Sequence, residues 1–140
     1  MMRRRGLDAV ALLLLLVLPV LAHAPGWWSG RLLGPGDGAA LHFPLRAAVW
    51  DAYRHGELPG WNHGIFLGAP LLASYRPGAF HPLMLLGTVL PAFAAFQVLV
   101  LVSLSAAGAL VFLYLRRLGA ETVGAYAAGL FFALGPYLVG

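Results

Sequence analysis

The chain has 140 residues, 61% of them hydrophobic and 10% charged, with a mean hydropathy of +0.82; a soluble domain of that size carries far more polar surface, so the composition indicates an integral membrane protein. The net charge of +4 comes from nine arginines and no lysine against five acids. Arg3, Arg4, Arg5, Arg116 and Arg117 stand at the ends of apolar runs, where the positive-inside rule puts them, and not in a patch suited to nucleic acid; the lack of cysteine excludes disulfides and thiolate metal sites.

The first apolar run, Leu7 to Ala24, follows Met-Met-Arg-Arg-Arg. A basic start, a leucine-rich stretch and Ala22-His23-Ala24 also describe a secretory signal with a cleavage site. Pro25 would then follow the cut, a poor residue for the peptidase, and further apolar segments come later. The expected element is therefore an uncleaved signal-anchor helix over residues 1–24.

Residues 25–81 collect glycine, proline, tryptophan and most of the charges. Asp37 lies there, in Gly-Pro-Gly-Asp-Gly. That is turn chemistry, and an aspartate before Ala39 suits a helix N-cap. A carboxylate at a membrane boundary can equally serve as general base or metal ligand for a substrate held in lipid, and the two roles are compatible. An amphipathic helix is predicted over 39–55, because Leu41, Leu45, Ala48, Val49 and Ala52 recur at helical spacing. Pro44 suits its first turn and Gly56 its C-terminal stop. His42 and Arg46 share a face at i, i+4, as do Asp51 and His55, the latter most simply a solvated pair. The run from Glu57 to Pro82 reads as an ordered loop with Trp61, Phe66, Tyr75 and Phe80 as packing or interfacial anchors. No zinc-protease pair, phosphate-binding loop, nucleophile elbow or dinucleotide fingerprint occurs. A basic, aromatic loop at a membrane surface can hold a lipid phosphate through Arg54 or Arg76, the alternative for each being a solvated or lipid-facing arginine.

From residue 82 the chain is apolar again. The economical division is a short surface or re-entrant helix over 83–90, a membrane helix over 91–115 ended by Arg116 and Arg117, and a third apolar segment over 121–140. Its small residues, Gly124, Ala125, Ala127, Ala128 and Gly129, permit close helix packing. The arginine clusters place the N-terminus and residues 116–117 in the cytoplasm and loop 25–81 on the far side. The predicted class is thus all-α and polytopic, with three spans and an extracytoplasmic helix and loop.

The order of pieces then becomes informative: Gly36-Asp37, a helix with Pro44, "GELPGWN" (56–62), "FLGAP" (66–70), "YRPGAFHP" (75–82), "LYLRRLGA" (113–120) and "AAGLFFALGPYLVG" (127–140). This resembles the N-terminal part of the YfhO-like bacterial membrane proteins, relatives of the GT-C glycosyltransferases. The resemblance implies a multi-pass enzyme of the bacterial inner membrane. It would take sugar from a polyprenyl-phosphate carrier to an envelope glycan, lipid or protein acceptor, with the lipid bilayer and the lipid-linked sugar as its partners. It also implies that an aspartate soon after the first span deprotonates the acceptor or helps to bind a metal, a divalent ion such as Mg or Mn. Asp37 matches that position. Trp61 and Asn62 fall in the shared motif, where shaping the loop is their default role, although His63 stands where the motif often has proline. Such enzymes have many more than three membrane helices, so the chain is expected to be an N-terminal portion, inactive alone. The reading from another class is a non-catalytic membrane subunit or transporter component whose loop docks a partner; the spans from Ala9 to Ala22 and from Pro91 to Leu115 carry no charge, which disfavours an ion pathway.

Overall fold

The structure is a computed structural model that describes residues 2–34, 36–65 and 67–135. It is mostly helical, and its chain divides into two compact units, Met1–Arg31 with Val100–Gly140, and Leu32–Leu99. Among the described residues two helices are long and apolar enough to cross a membrane, Gly6–Trp28 and Ala92–Arg117.

In the first unit, α1 (Met2–Trp28) contains Pro19 and Pro25. The helix therefore continues past Ala24, the expected end of the anchor. A proline this close to a helix end removes one backbone bond of a long ladder, and Gly30 supplies the stop instead. Its φ of +70° lets the Arg31 amide donate to the Gly26 carbonyl at 3.0 Å, the six-to-one bond of a glycine-terminated helix. The other elements are the C-terminal part of α4 (Ala92–Arg117) and α5 (Thr122–Leu134). Ala11, Leu15, Phe112 and Ala125 form the core between the three helices. The Ser105 hydroxyl donates to the Leu16 carbonyl at 3.1 Å. The 13 residues of α5 rise about 20 Å at 1.5 Å each, short of the ~30 Å of a bilayer core. Residues 136–140 of the third expected span lie outside the described residues.

One polar cluster ties the ends of these helices. Arg116 donates from Nε and Nη2 to the two Asp8 carboxylate oxygens, at 3.0 and 2.9 Å, and the Thr122 hydroxyl donates to Oδ1 at 2.7 Å. The N-terminus of α1 and the C-terminus of α4 consequently lie side by side, and the Ser105–Leu16 contact further along shows the two helices running antiparallel. The pair is half-buried, and a bidentate guanidinium–carboxylate contact is among the stronger hydrogen-bonded arrangements. Asp8→Ala is expected to lower stability by about 2 kcal/mol, the scale of hydrogen bonds to charged groups. The check is an SDS titration in mixed micelles, in which the swap Asp8→Arg with Arg116→Asp recovers part of the loss.

In the second unit, a five-residue π-turn (Gly38–His42) leads into α2 (Phe43–Arg54). Pro44 occupies the first turn of α2, and Gly56, with φ +73°, ends it through a Glu57 amide bond to the Ala52 carbonyl at 2.9 Å, as the sequence predicts. Beyond it, β1 (Trp61–Asn62) and β2 (Ala69–Pro70) form a short antiparallel ribbon within the predicted loop, Trp61 opposite Pro70 and Asn62 opposite Ala69. A 3-10 turn (Pro82–Leu85) and the single turn α3 (Leu86–Val89) occupy the expected 83–90 helix. The core gathers on Trp50, which is 0% exposed and donates from Nε1 to the Met84 carbonyl at 2.9 Å. Gly87 faces it so closely that an added Cβ would lie 2.1 Å from the indole.

Candidate functional site

Asp37 is positioned by the turn before it. Gly34 and Gly36 take φ values of +80° and +72°, a region that side chains disfavour. The Leu33 amide donates to Oε1 of Gln97 at 2.9 Å. Gln97 is fully buried in α4, and an uncharged amide within an apolar run leaves no charge signal in the sequence. Asp37 takes the position before the π-turn with helical dihedrals, φ −62° and ψ −28°, and its side chain makes no cap hydrogen bond. An N-cap uses extended backbone to aim its side chain at the amides ahead, so the capping role expected of this residue is not realised. The Asp37 carboxylate is exposed and holds no hydrogen bond or ion pair among the described residues.

The π-turn places His42 one residue before α2, with its Nδ1 buried and unpartnered among the described residues. One turn on, Arg46 Nε donates to the Pro77 carbonyl at 3.4 Å, a long bond, and its guanidinium lies 5.5 Å from the Phe96 ring centre. Phe43 packs edge-on against the same ring at 5.5 Å. Burial pulls the Arg46 pKa below the usual arginine range because it disfavours the charged form.

The other predicted residues separate into distinct roles. Arg54 donates from Nε to the Gly87 carbonyl at 2.8 Å and from Nη2 to the Leu90 carbonyl at 2.6 Å. It thereby satisfies carbonyls at the end of α3 that the short helix cannot, which makes it a brace. Arg76 is exposed, with no hydrogen bond or ion pair among the described residues. Asn62 Oδ1 accepts from the Gly64 amide at 2.8 Å, a turn-forming bond. Trp61 is 55% exposed, and its indole covers Gly68, where an added Cβ would lie 2.5 Å from Nε1. Of the other expected anchors, Tyr75 and Phe80 are exposed and Phe66 lies outside the described residues.

Among the described residues this unit carries a polar and an apolar cleft. One, of about 370 Å³, is polar: Asp51, His55, Glu57, Asn62 and His63 line it beside Trp61. The other, of about 510 Å³, is mainly apolar and is lined by Leu58, Phe80, Met84 and Leu85, with Tyr53 and His81 among its polar groups. Glu57 and Leu58 belong to both. Asp37, Arg54 and Arg76 line neither, so the structure brings Trp61 and Asn62 together and leaves the other three expected residues apart from them.

One histidine at each cleft carries a definite hydrogen-bond role. His55 Nδ1 lies 2.8 Å from the Asp51 carbonyl and therefore donates its proton there; His81 Nδ1 accepts from the Leu83 amide at 3.2 Å. In the neutral rings, His55 Nε2 is then an acceptor and His81 Nε2 a donor. Among the described residues no three His, Asp or Glu side chains gather into a metal site. No family model, curated protein or solved structure matches the chain.

Proposed function

We propose that this chain is the N-terminal portion of a multi-pass GT-C-like glycosyltransferase of the bacterial inner membrane, with its N-terminus cytoplasmic and loop 25–81 outside. It would transfer sugar from a polyprenyl-phosphate carrier to an envelope acceptor. The observation that carries the reading is the state of Asp37: an exposed, uncapped carboxylate, held by a glycine turn shortly after a membrane-length helix. Support also comes from the motif order from Gly36 to Gly140, with α1 and α4 as two spans and the segment from residue 121 as a third.

In the proposed reaction the acceptor hydroxyl oxygen attacks the anomeric carbon of the sugar. The bond from that carbon to the carrier phosphate oxygen breaks, the polyprenyl phosphate leaves with the electron pair, and Asp37 takes the hydroxyl proton. A general base of this kind accelerates transfer about 10²- to 10⁴-fold. Arg76 is the arginine available to meet the phosphate charge, while Arg54 acts through the fold, and Trp61 and Asn62 shape the loop. The test is turnover of polyprenyl-phosphate-linked sugar in membranes that contain the full protein. Consumption above that of membranes lacking it is expected, and no difference would favour the reading as a non-catalytic docking subunit.

A further inference from the structure

The two clefts differ in chemistry yet share a wall. On one side of Glu57–Leu58 lie two carboxylates, two histidines, an amide and the exposed indole of Trp61; on the other lie Phe80, Met84 and Leu85. Leu58 is 75% exposed, and Phe80 and Leu85 at the apolar cleft are 79% and 66% exposed. Apolar side chains so exposed around a cavity mark a surface that another apolar group covers. The apolar cleft's volume of about 510 Å³ falls within the roughly 300–1,000 Å³ usual for small-molecule sites.

Charge restricts the occupant. Although the chain has nine arginines, none lines either cleft among the described residues; the only formal charges there are the Asp51 and Glu57 carboxylates. A phosphate or carboxylate headgroup would meet two like charges and no cation. A hydroxylated, uncharged headgroup finds complementary partners instead. Hydroxyls donate to Asp51, Glu57 and His55 Nε2, and the flat indole of Trp61 offers an apolar face for a ring. The tail has its own reason to be there. Val89, at the end of the segment walling the apolar cleft, precedes the start of α4 by three residues, a reach of about 10 Å even when extended. Because α4 is long and apolar enough to cross a membrane, lipid chains are the apolar matter closest to hand.

We propose that the paired clefts form a binding site for a neutral, hydroxylated amphiphile that straddles Glu57–Leu58, its hydroxylated head beside Trp61 and its tail against Phe80 and Leu85. The site lies apart from Asp37 and needs no turnover to be detected, so it stands or falls separately from the transferase reading.

The experiment uses the full chain in phosphatidylcholine nanodiscs and a glucosyl diacylglycerol carrying a photoactivatable diazirine in one acyl chain. Labelling is expected within residues 79–88. Unlabelled glucosyl diacylglycerol should compete at least tenfold better than phosphatidic acid of the same chains. In the double variant Asp51→Lys with Glu57→Lys, both at exposed positions, that preference should reverse. Equal competition by the two lipids in the wild-type protein would overturn the proposal, as would labelling confined to α1 and α4, or a double variant that still prefers the neutral lipid. Should the double variant not fold, the wild-type competition ratio decides alone.

Discussion

Replacing Trp50 with alanine is expected to unfold the Leu32–Leu99 unit while leaving α1 inserted. Trp50 is fully buried, and removing a buried tryptophan costs about 3–5 kcal/mol. The loss goes beyond packing. Its Nε1 bond to the Met84 carbonyl holds the 3-10 turn against α2, and truncation removes that link between the two segments. Set against the roughly 5–15 kcal/mol that holds a whole domain together, the deficit is a large fraction. Gly87→Ala tests the same contact from the other side. The added methyl would lie 2.1 Å from the indole carbon Cδ1, so α3 must move away, at about 1–3 kcal/mol. Hydrogen exchange of the protein in nanodiscs checks both. Faster exchange in residues 43–54 and 82–90, with α1 unchanged, is the expected pattern; unchanged protection in those segments would mean that Trp50 is not the keystone of the unit.

Gly129→Leu is expected to part α5 from α4. A Cβ at Gly129 would lie 2.6 Å from the Gly108 carbonyl, and one at Gly108 would lie 2.9 Å from the Gly129 carbonyl and from the Ala133 methyl. Both obstacles are largely backbone, which cannot rotate out of the way as a side chain can. Between apolar helices in lipid there is little hydrophobic drive to hold a poor fit together, so close backbone approach carries the association. Overpacking of this kind costs about 3 kcal/mol. SDS titration should show the loss, and Gly124→Leu, at a glycine with open space around it, should show almost none. Equal effects at 124 and 129 would contradict this account of the helix contact.

Much of this architecture is legible in the amino-acid order, and the illegible parts have physical reasons. The apolar runs, the first-turn Pro44 and the Gly56 stop are local signals, and each is found where the pattern puts it. The helix overruns the expected end at Ala24 because a proline within three residues of a natural end costs little, and Gly30 stops the chain beyond it. Asp8 lies one residue before the charge-free span from Ala9 to Ala22, and its partner Arg116 is 108 positions away; no local periodicity encodes such a pair. Trp50 adjoins the apolar face of α2 but becomes the centre of the unit only when Gly87 and Met84 arrive from a distant segment.

The expected site residues show the same division. Trp61 and Asn62 meet in one cleft because a single ribbon carries both. Arg54 reads as a phosphate ligand from charge alone, yet its reach to the Gly87 and Leu90 carbonyls depends on where the chain folds back. The histidines of the polar cleft come from a helix end and a hairpin, elements whose juxtaposition no spacing rule contains. For Asp37 the local signal pointed to a cap, and the helical backbone at that residue turns the carboxylate away from the role.

That carboxylate is where the account is most directly tested. The measurement is transfer of labelled sugar from a polyprenyl-phosphate carrier in membranes carrying the full protein, either wild type or Asp37→Asn, with insertion of both followed by protease protection of loop 25–81. The expected result is normal insertion and a fall in transfer of at least about 100-fold, the low end for removal of a general base. Wild-type transfer by the inserted Asp37→Asn protein would contradict the account and leave Asp37 as an exposed residue of the turn.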